Sequence, residues 1–462
     1  MNSGYSPNPR RGSVFLGLAV TMLVASGGLL VGYTMIGAES ASEAASETLE
    51  TRSAEPAALE AALTEHLAAP VAVMIGESQV AVPWQELGVA IDKDEIAEAV
   101  SLADPDDLVG SLQTVGALPV TVDRAAATER IRALKARHDV VPQDAWMDLE
   151  NRTIHRSKPG SSIDLFASLS AIEVASRTGA AEVSLRTVPI DPAITVKELG
   201  IDDISHVMAS FETNFSTADF SRNYNLKLAA SKLNGYVLQP GVEFSFNDVV
   251  GARTEKEGYK IAHVISSGEM VDGLAGGTCQ ISSTLHGASF FAGIDILKAI
   301  PHSRPSTYVT MGMDATVVYP HVDVKLKNSY EFPVAIHFQI QRGKTRVEIL
   351  GRERPYDKVA FEREITEELP FETVTREDET MPIGSMVVEQ YGFFGYKVDK
   401  IRKFYKGDKV VKKDTWRVRY APVTEYVRIG INPDPNLPPP KPSKDHHKRL
   451  KEPKNTTFRL IQ

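Results

Sequence analysis

The most constraining feature of the chain is a stretch of 26 residues, Ser13 to Ala38, that carries no charge. Val14 to Ile36 alone rises about 34 Å as a helix, enough to cross a hydrocarbon core of about 30 Å. Arg10 and Arg11 precede the run, and Glu39 is the first charge after it. The positive flank stays in the cytoplasm, so the spacing predicts a single-pass anchor over 13–38. A basic stub at 1–12 stays inside and the bulk of the chain is extracytoplasmic. A leader cleaved near Ala38-Glu39-Ser40-Ala41 is the alternative, and it exports the same remainder.

The remainder has globular composition. Of 462 residues, 42% are apolar and 24% charged, which excludes wholesale disorder and a polytopic membrane protein. Lys and Arg number 51 against 60 Asp and Glu, a net charge of −9, so no nucleic-acid partner is expected. One cysteine permits no intrachain disulfide and no multi-cysteine zinc site. No His, Cys, Asp and Glu set has metal-ligand spacing, and no phosphate loop or dinucleotide fingerprint occurs, so neither a metal nor another cofactor is expected.

Periodicity divides the chain into an α+β multidomain array. Residues 39–56, rich in Ala, Ser and Glu, read as a stalk. Residues 57–200 alternate helical and strand-like segments twice and predict two small α+β modules in tandem. Residues 205–345 predict a larger α+β domain. Residues 361–430 predict a β-rich module punctuated by Gly384, Gly392, Gly395, Gly407 and Gly430. Residues 433–462, with seven prolines among Lys, Arg and His, predict a disordered basic tail.

Three resemblances follow from these segments. Trp84-Gln85-Glu86-Leu87-Gly88, Val141-Pro142-Gln143-Asp144-Ala145 and Lys158-Pro159-Gly160 resemble the YoaR-like peptidoglycan-binding domain, which implies contact with cell-wall polymer. Residues 235–247, Val249 to Thr254, Gly276 to Leu285 and Pro301 to Pro305 form an ordered set that resembles the VanW family, as do Asp314 to Val317, Asp323 and Asn328. The frame Met381-Pro382-Ile383-Gly384-Ser385, then Tyr391 to Gly395, then Tyr405 to Val410 resembles the five-glycine extracellular family. That likeness implies a wall-glycan partner or a plain β-spacer.

One constellation has the residue types of a nucleophilic site. Ile281, Leu285, Ala288 and Ala292 make a helical apolar stripe that Gly293 ends. Thr278 is the expected N-cap, which puts Cys279 in the first turn, where the helix dipole favours a thiolate. Gly276 and Gly277 are expected to let a substrate backbone approach, and Gln280 to donate to an oxyanion. His302 supplies a base, and Asp314 or Asp323 an orienting carboxylate. Arg253 and Arg304 are candidates to hold a substrate carboxylate such as a stem-peptide terminus. The order of cysteine, histidine and aspartate resembles papain-like and transglutaminase-like hydrolases. The step to His302 is shorter here, and the His-Ala-Trp strand is missing. A small packed cysteine, and a non-enzymatic tether between membrane and wall, are the alternatives.

Overall fold

A computed structural model describes residues 54–266, 269–434, 436–438 and 457–462. The expected anchor at 13–38 and most of the stalk lie outside the described residues. Among the described residues no helix is long and apolar enough to cross a membrane. The fold is mixed α+β, with many sheets and a β-rich C-terminal part.

Near the N-terminus, helix α1 (Pro56–Ala68) starts on a proline whose missing N–H costs nothing there. It buries Leu59, Leu63 and Leu67, one residue per turn. Strands β1 (Pro70–Ile75) and β2 (Ser78–Pro83) form a hairpin through Gly76, whose φ of +57° suits glycine. The second neighbour of β1 is β3 (Glu182–Leu185), in parallel register with Val73 opposite Val183. Parallel neighbours need a long crossover. Here it contains α2 (Arg124–His138), capped by Asp123, and α3 (Leu165–Thr178), capped by Asp164. Leu59, Val73, Leu112, Ile131, Ile172 and Val183 all belong to one core. The two segments expected in tandem therefore share a single interior, because β1 and β3 come from opposite ends of it.

The central part is an antiparallel sheet in the order β4 (His206–Asn214), β7 (Lys344–Gly351), β6 (Val334–Gln341), β5 (Val237–Leu238). Helices α4 (Phe220–Leu233) and α5 (Thr278–Ala292) pack against it. Gly287 lets α5 approach β4: a Cβ there would lie 2.4 Å from the Phe211 ring. The sequence predicts an amphipathic α5. Instead every residue of the helix except Cys279 is buried. A helix of this kind is a core element, and its polar side chains need internal partners.

The C-terminal module pairs β12 (Lys409–Tyr420), β11 (Gly395–Lys406), β8 (Lys358–Leu369) and β14 (Thr457–Ile461) in one sheet. A second sheet runs β9 (Thr373–Pro382), β13 (Glu425–Asn432), β10 (Met386–Gln390). Strand β14 corrects the expectation of a tail disordered to its end. Thr457-Phe458-Arg459-Leu460-Ile461 has strand composition, which the surrounding prolines and lysines mask. Val359, Phe361 and Phe404 join the core of the central domain, where Phe290 and Phe361 meet edge-on at 5.8 Å. The module is thus fused to its neighbour across a shared apolar layer.

Candidate active site

Helix α5 begins at a forced turn. Gly277 is its N-cap at φ +105°, and the Thr278 hydroxyl turns back to donate to Ala275 O at 2.8 Å. The cap is therefore Gly277 and not Thr278. A Cβ on Gly277 would lie 3.1 Å from Arg222 Cγ and 3.2 Å from Leu226 Cγ. Gly276 O accepts from Asn225 Nδ2 at 3.1 Å. Gly277 thus serves the close packing of α4 on the start of α5, and the Gly276 carbonyl is held by Asn225.

Cys279, Ser282, Ser283 and His286 follow at helical spacing and make one polar stripe along α5. It grips the backbone of alternate residues in the segment 313–317. His286 Nδ1 donates to Met313 O at 2.9 Å, and Ser282 Oγ to Ala315 O at 2.6 Å. Ser283 Oγ accepts from Ala315 N at 2.9 Å, and Val317 N donates to Cys279 Sγ at 3.5 Å. With the odd-numbered backbone groups turned to the helix, Asp314 faces the other way, toward His302.

Asp314 Oδ2 accepts from both the backbone N and Nδ1 of His302, at 2.7 and 2.9 Å. Its Oδ1 accepts from the hydroxyl of Tyr420, which itself accepts from Gly312 N at 2.7 Å. The Nε2 of His302 lies 3.3 Å from Tyr308 OH, and the ring and the Cys279 thiol each shift the other's proton affinity. Burial pulls the imidazole down, but the hydrogen bonds and charges of Asp314 and Cys279 outweigh it and raise His302 to about 10. Burial pushes the thiol up, and His302, the Val317 amide and the Arg253 charge bring it below its ordinary value. Asp314 stays below the usual carboxylate range despite burial, held by His302 and Tyr420. These directions favour the thiolate and the imidazolium, with a buried aspartate behind the ring. Cys279 keeps partial exposure, and its own N–H has no acceptor among the described residues.

The other residues singled out in the sequence fall elsewhere. Asp323 does not orient His302: it accepts from Ser245 Oγ at 2.6 Å and Asn247 N at 2.9 Å. Gln280 is not free to bind an oxyanion. Its amide nitrogen donates to Thr213 Oγ1 and Asn214 O, and its oxygen accepts from Arg222 Nη2 at 2.6 Å. Arg253 donates to Asn247 Oδ1 at 2.6 Å, and Arg304 stacks 4.8 Å from the Phe393 ring centroid of the C-terminal module.

That module also supports the site from below. Arg402, 1% exposed, donates to the carbonyls of Phe290 and Ile294 at the C-terminal end of α5, at 3.1 and 2.8 Å, and pairs with Asp414. A cation there satisfies the last turn and opposes the helix dipole. Lys400 donates to His286 Nε2 at 3.0 Å. Burial and the neighbouring Arg402 push this lysine down to about 7. A groove of about 520 Å³ runs along the seam, lined by Leu297, Ile300, His302, Lys400 and Trp416. Sequence reasoning missed Tyr308, Tyr420 and Arg222. Tyr420 is 106 residues from its partner, and no local pattern announces it.

Residues 221–350 match the family model described as VanW like protein, and residues 362–432 match the G5 domain. The uncharacterised YoaR protein of Bacillus subtilis is 40% identical over 129 residues, 28% of this chain and 43% of that protein. The vancomycin B-type resistance protein VanW of Enterococcus faecalis is 27% identical over 137 residues, 29% of this chain and 50% of that protein. The chain thus spans half or less of the length of these two relatives. A solved IgA1 protease G5 domain is 21% identical, covers 17% of this chain and 96% of its own, and has a TM-score of 0.13.

Proposed function

We propose that this chain, which joins a VanW-like domain to a C-terminal G5 module, works outside the membrane on the peptide part of the cell wall, by cysteine-dependent acyl transfer or amide hydrolysis. The uncharged run at 13–38 supplies the membrane end of this reading, and the five-glycine module a contact with wall glycan.

One observation carries the chemistry. Cys279, the one residue of α5 open to solvent, is coupled electrostatically to His302, an imidazole whose Nδ1 is 2.9 Å from a buried carboxylate. A thiolate at a helix start attacks an acyl carbon and forms a thioester. The C–N bond breaks as His302 gives its Nε2 proton to the leaving amine. Asp314 holds the ring in the required tautomer and balances its charge. The Cys279 N–H points into the first turn, where an oxyanion forms. A water or amine then attacks the thioester, returns a proton to His302 and restores the thiolate.

The test is to incubate the full-length protein with purified sacculi and analyse both by mass spectrometry. The expected result is an acyl adduct on Cys279 and newly freed amines, both abolished by Cys279→Ser. Retention on sacculi with neither adduct nor product would leave the non-enzymatic tether and refute acyl transfer.

A further inference from the structure

We infer that the groove along the seam holds an extended, carboxylate-bearing peptide, bound as an added β-strand between two open sheet edges. The inference deepens the wall-peptide reading and rests on it for the source of the peptide, while its test reads binding and not chemistry.

Two strands border the groove. Asp295–Lys298 has the strand Lys325–Lys327 on one side only, and β12 has β11 on one side only. The two borders are tied at both ends. Lys412 Nζ lies 3.5 Å from Asp295 Oδ1 at one end. At the other, His302 Nδ1 and the Tyr420 hydroxyl share the Asp314 carboxylate. Between these ties no backbone hydrogen bond joins 296–299 to 416–419 among the described residues. The lining is consecutive on both borders, 296–303 and 416–419. Neighbouring residues of a strand point to opposite faces, so an unbroken run on each side means that backbone edges wall the groove. An open edge presents unpaired N–H and C=O groups, and an extended peptide satisfies them.

The lining also sets the charge of the ligand. Lys298, Lys400, Arg417 and Arg419 line the groove, and no Asp or Glu does. In a chain of net charge −9 this is a local reversal. Lys298 and Arg419 are exposed and have no carboxylate at ion-pair distance among the described residues. Leu297 and Ile300, both exposed, and the half-buried Trp416 add apolar contacts beside these cations. A peptide that alternates acidic and small apolar side chains matches this mix. His302 lines the same groove, so a peptide seated there meets the imidazole of the candidate active site.

The test measures binding to the full-length protein by fluorescence anisotropy. The probes are labelled octapeptides of alternating Ala and Glu or of alternating Ala and Lys, and an N-acetylglucosamine hexamer. The acidic peptide is expected to bind at least about tenfold more tightly than the basic one at low salt, and less so at high salt. Lys298→Glu and Arg419→Glu, both at exposed positions, should each weaken it by about tenfold. N-methylation of alternate amides keeps the peptide's charge and should abolish binding, since the added strand loses its donors. Equal binding of the two charges, or of the N-methylated and plain acidic peptides, overturns the added strand, and neither outcome needs a variant to fold. Hexamer binding that Arg419→Glu weakens, without binding of the acidic peptide, assigns the groove to glycan and also overturns it. Acidic-peptide binding by a protein that never forms an acyl adduct supports the groove and removes the enzyme; an adduct without peptide binding does the reverse.

Discussion

Tyr420→Phe tests whether the C-terminal module holds the site together. Tyr420 is fully buried, and its hydroxyl donates to the ionised Asp314 and accepts from Gly312 N. Phenylalanine keeps the ring, so no cavity term arises. A hydrogen bond to a charged group contributes about 1.5–3 kcal/mol, and a buried N–H left without an acceptor costs about 1–3 kcal/mol. The expected loss is therefore about 3–5 kcal/mol, concentrated at the seam between the modules. Urea unfolding followed by tryptophan fluorescence reads the loss, since Trp416 packs 5.9 Å from Phe290 across that seam. Labelling of Cys279 by a neutral reagent reads the site. With one donor gone, Asp314 holds its negative charge less firmly, so labelling near pH 6 falls. A destabilisation below about 1 kcal/mol with unchanged labelling would refute the idea that this hydroxyl fixes Asp314.

Three further outcomes are expected. Asp314→Asn should raise the pH midpoint of Cys279 labelling, whereas Asp323→Asn should leave that midpoint alone and lower thermal stability through its two lost hydrogen bonds; the same probe on both variants checks this. Lys400 is held near 7 in the fold while an unfolded lysine keeps its proton to about 10.5, so the unfolded chain binds the extra proton between those values. Stability gained from this group therefore rises with pH across that window, and Lys400→Met should remove a slope of about 1.4 kcal/mol per pH unit, read by urea melts at pH 7.5, 8.5 and 9.5. Gly277→Ala forces a Cβ to 3.1 Å from Arg222 Cγ at a positive φ and should cost about 2–3 kcal/mol, with a drop in melting temperature as the readout.

The start of the functional helix was legible because its signals are local. A glycine pair, a cysteine at the first turn and a terminal glycine fix where α5 begins and ends within a residue. The pairing of His302 with Asp314 rather than Asp323 was not legible. It depends on a stripe of serines and a histidine that orients the facing segment, and their partners in 313–317 lie too far along the chain for a local pattern to show. The same polar stripe explains why α5 reads as amphipathic yet is buried all round: Ser282, Ser283 and His286 spend their polarity on backbone groups of 313–317. The shared core of residues 57–200 escaped periodicity because its key contact, β1 against β3, joins segments more than a hundred residues apart. Strand β14 was lost in the composition of its neighbours. Arg222 carries no signature at all; only the packing of α4 on Gly277 brings it to the start of α5.

The row Lys400, Arg402 and Tyr420 makes the stretch between residues 350 and 362 a poor place to cut. A chimera that grafts a foreign five-glycine unit onto this domain inherits a working helix and carboxylate only if the donor brings a cation where Arg402 caps α5 and a phenol where Tyr420 meets Asp314. Lineages that shuffle these modules should therefore have exchanged the two as one cassette.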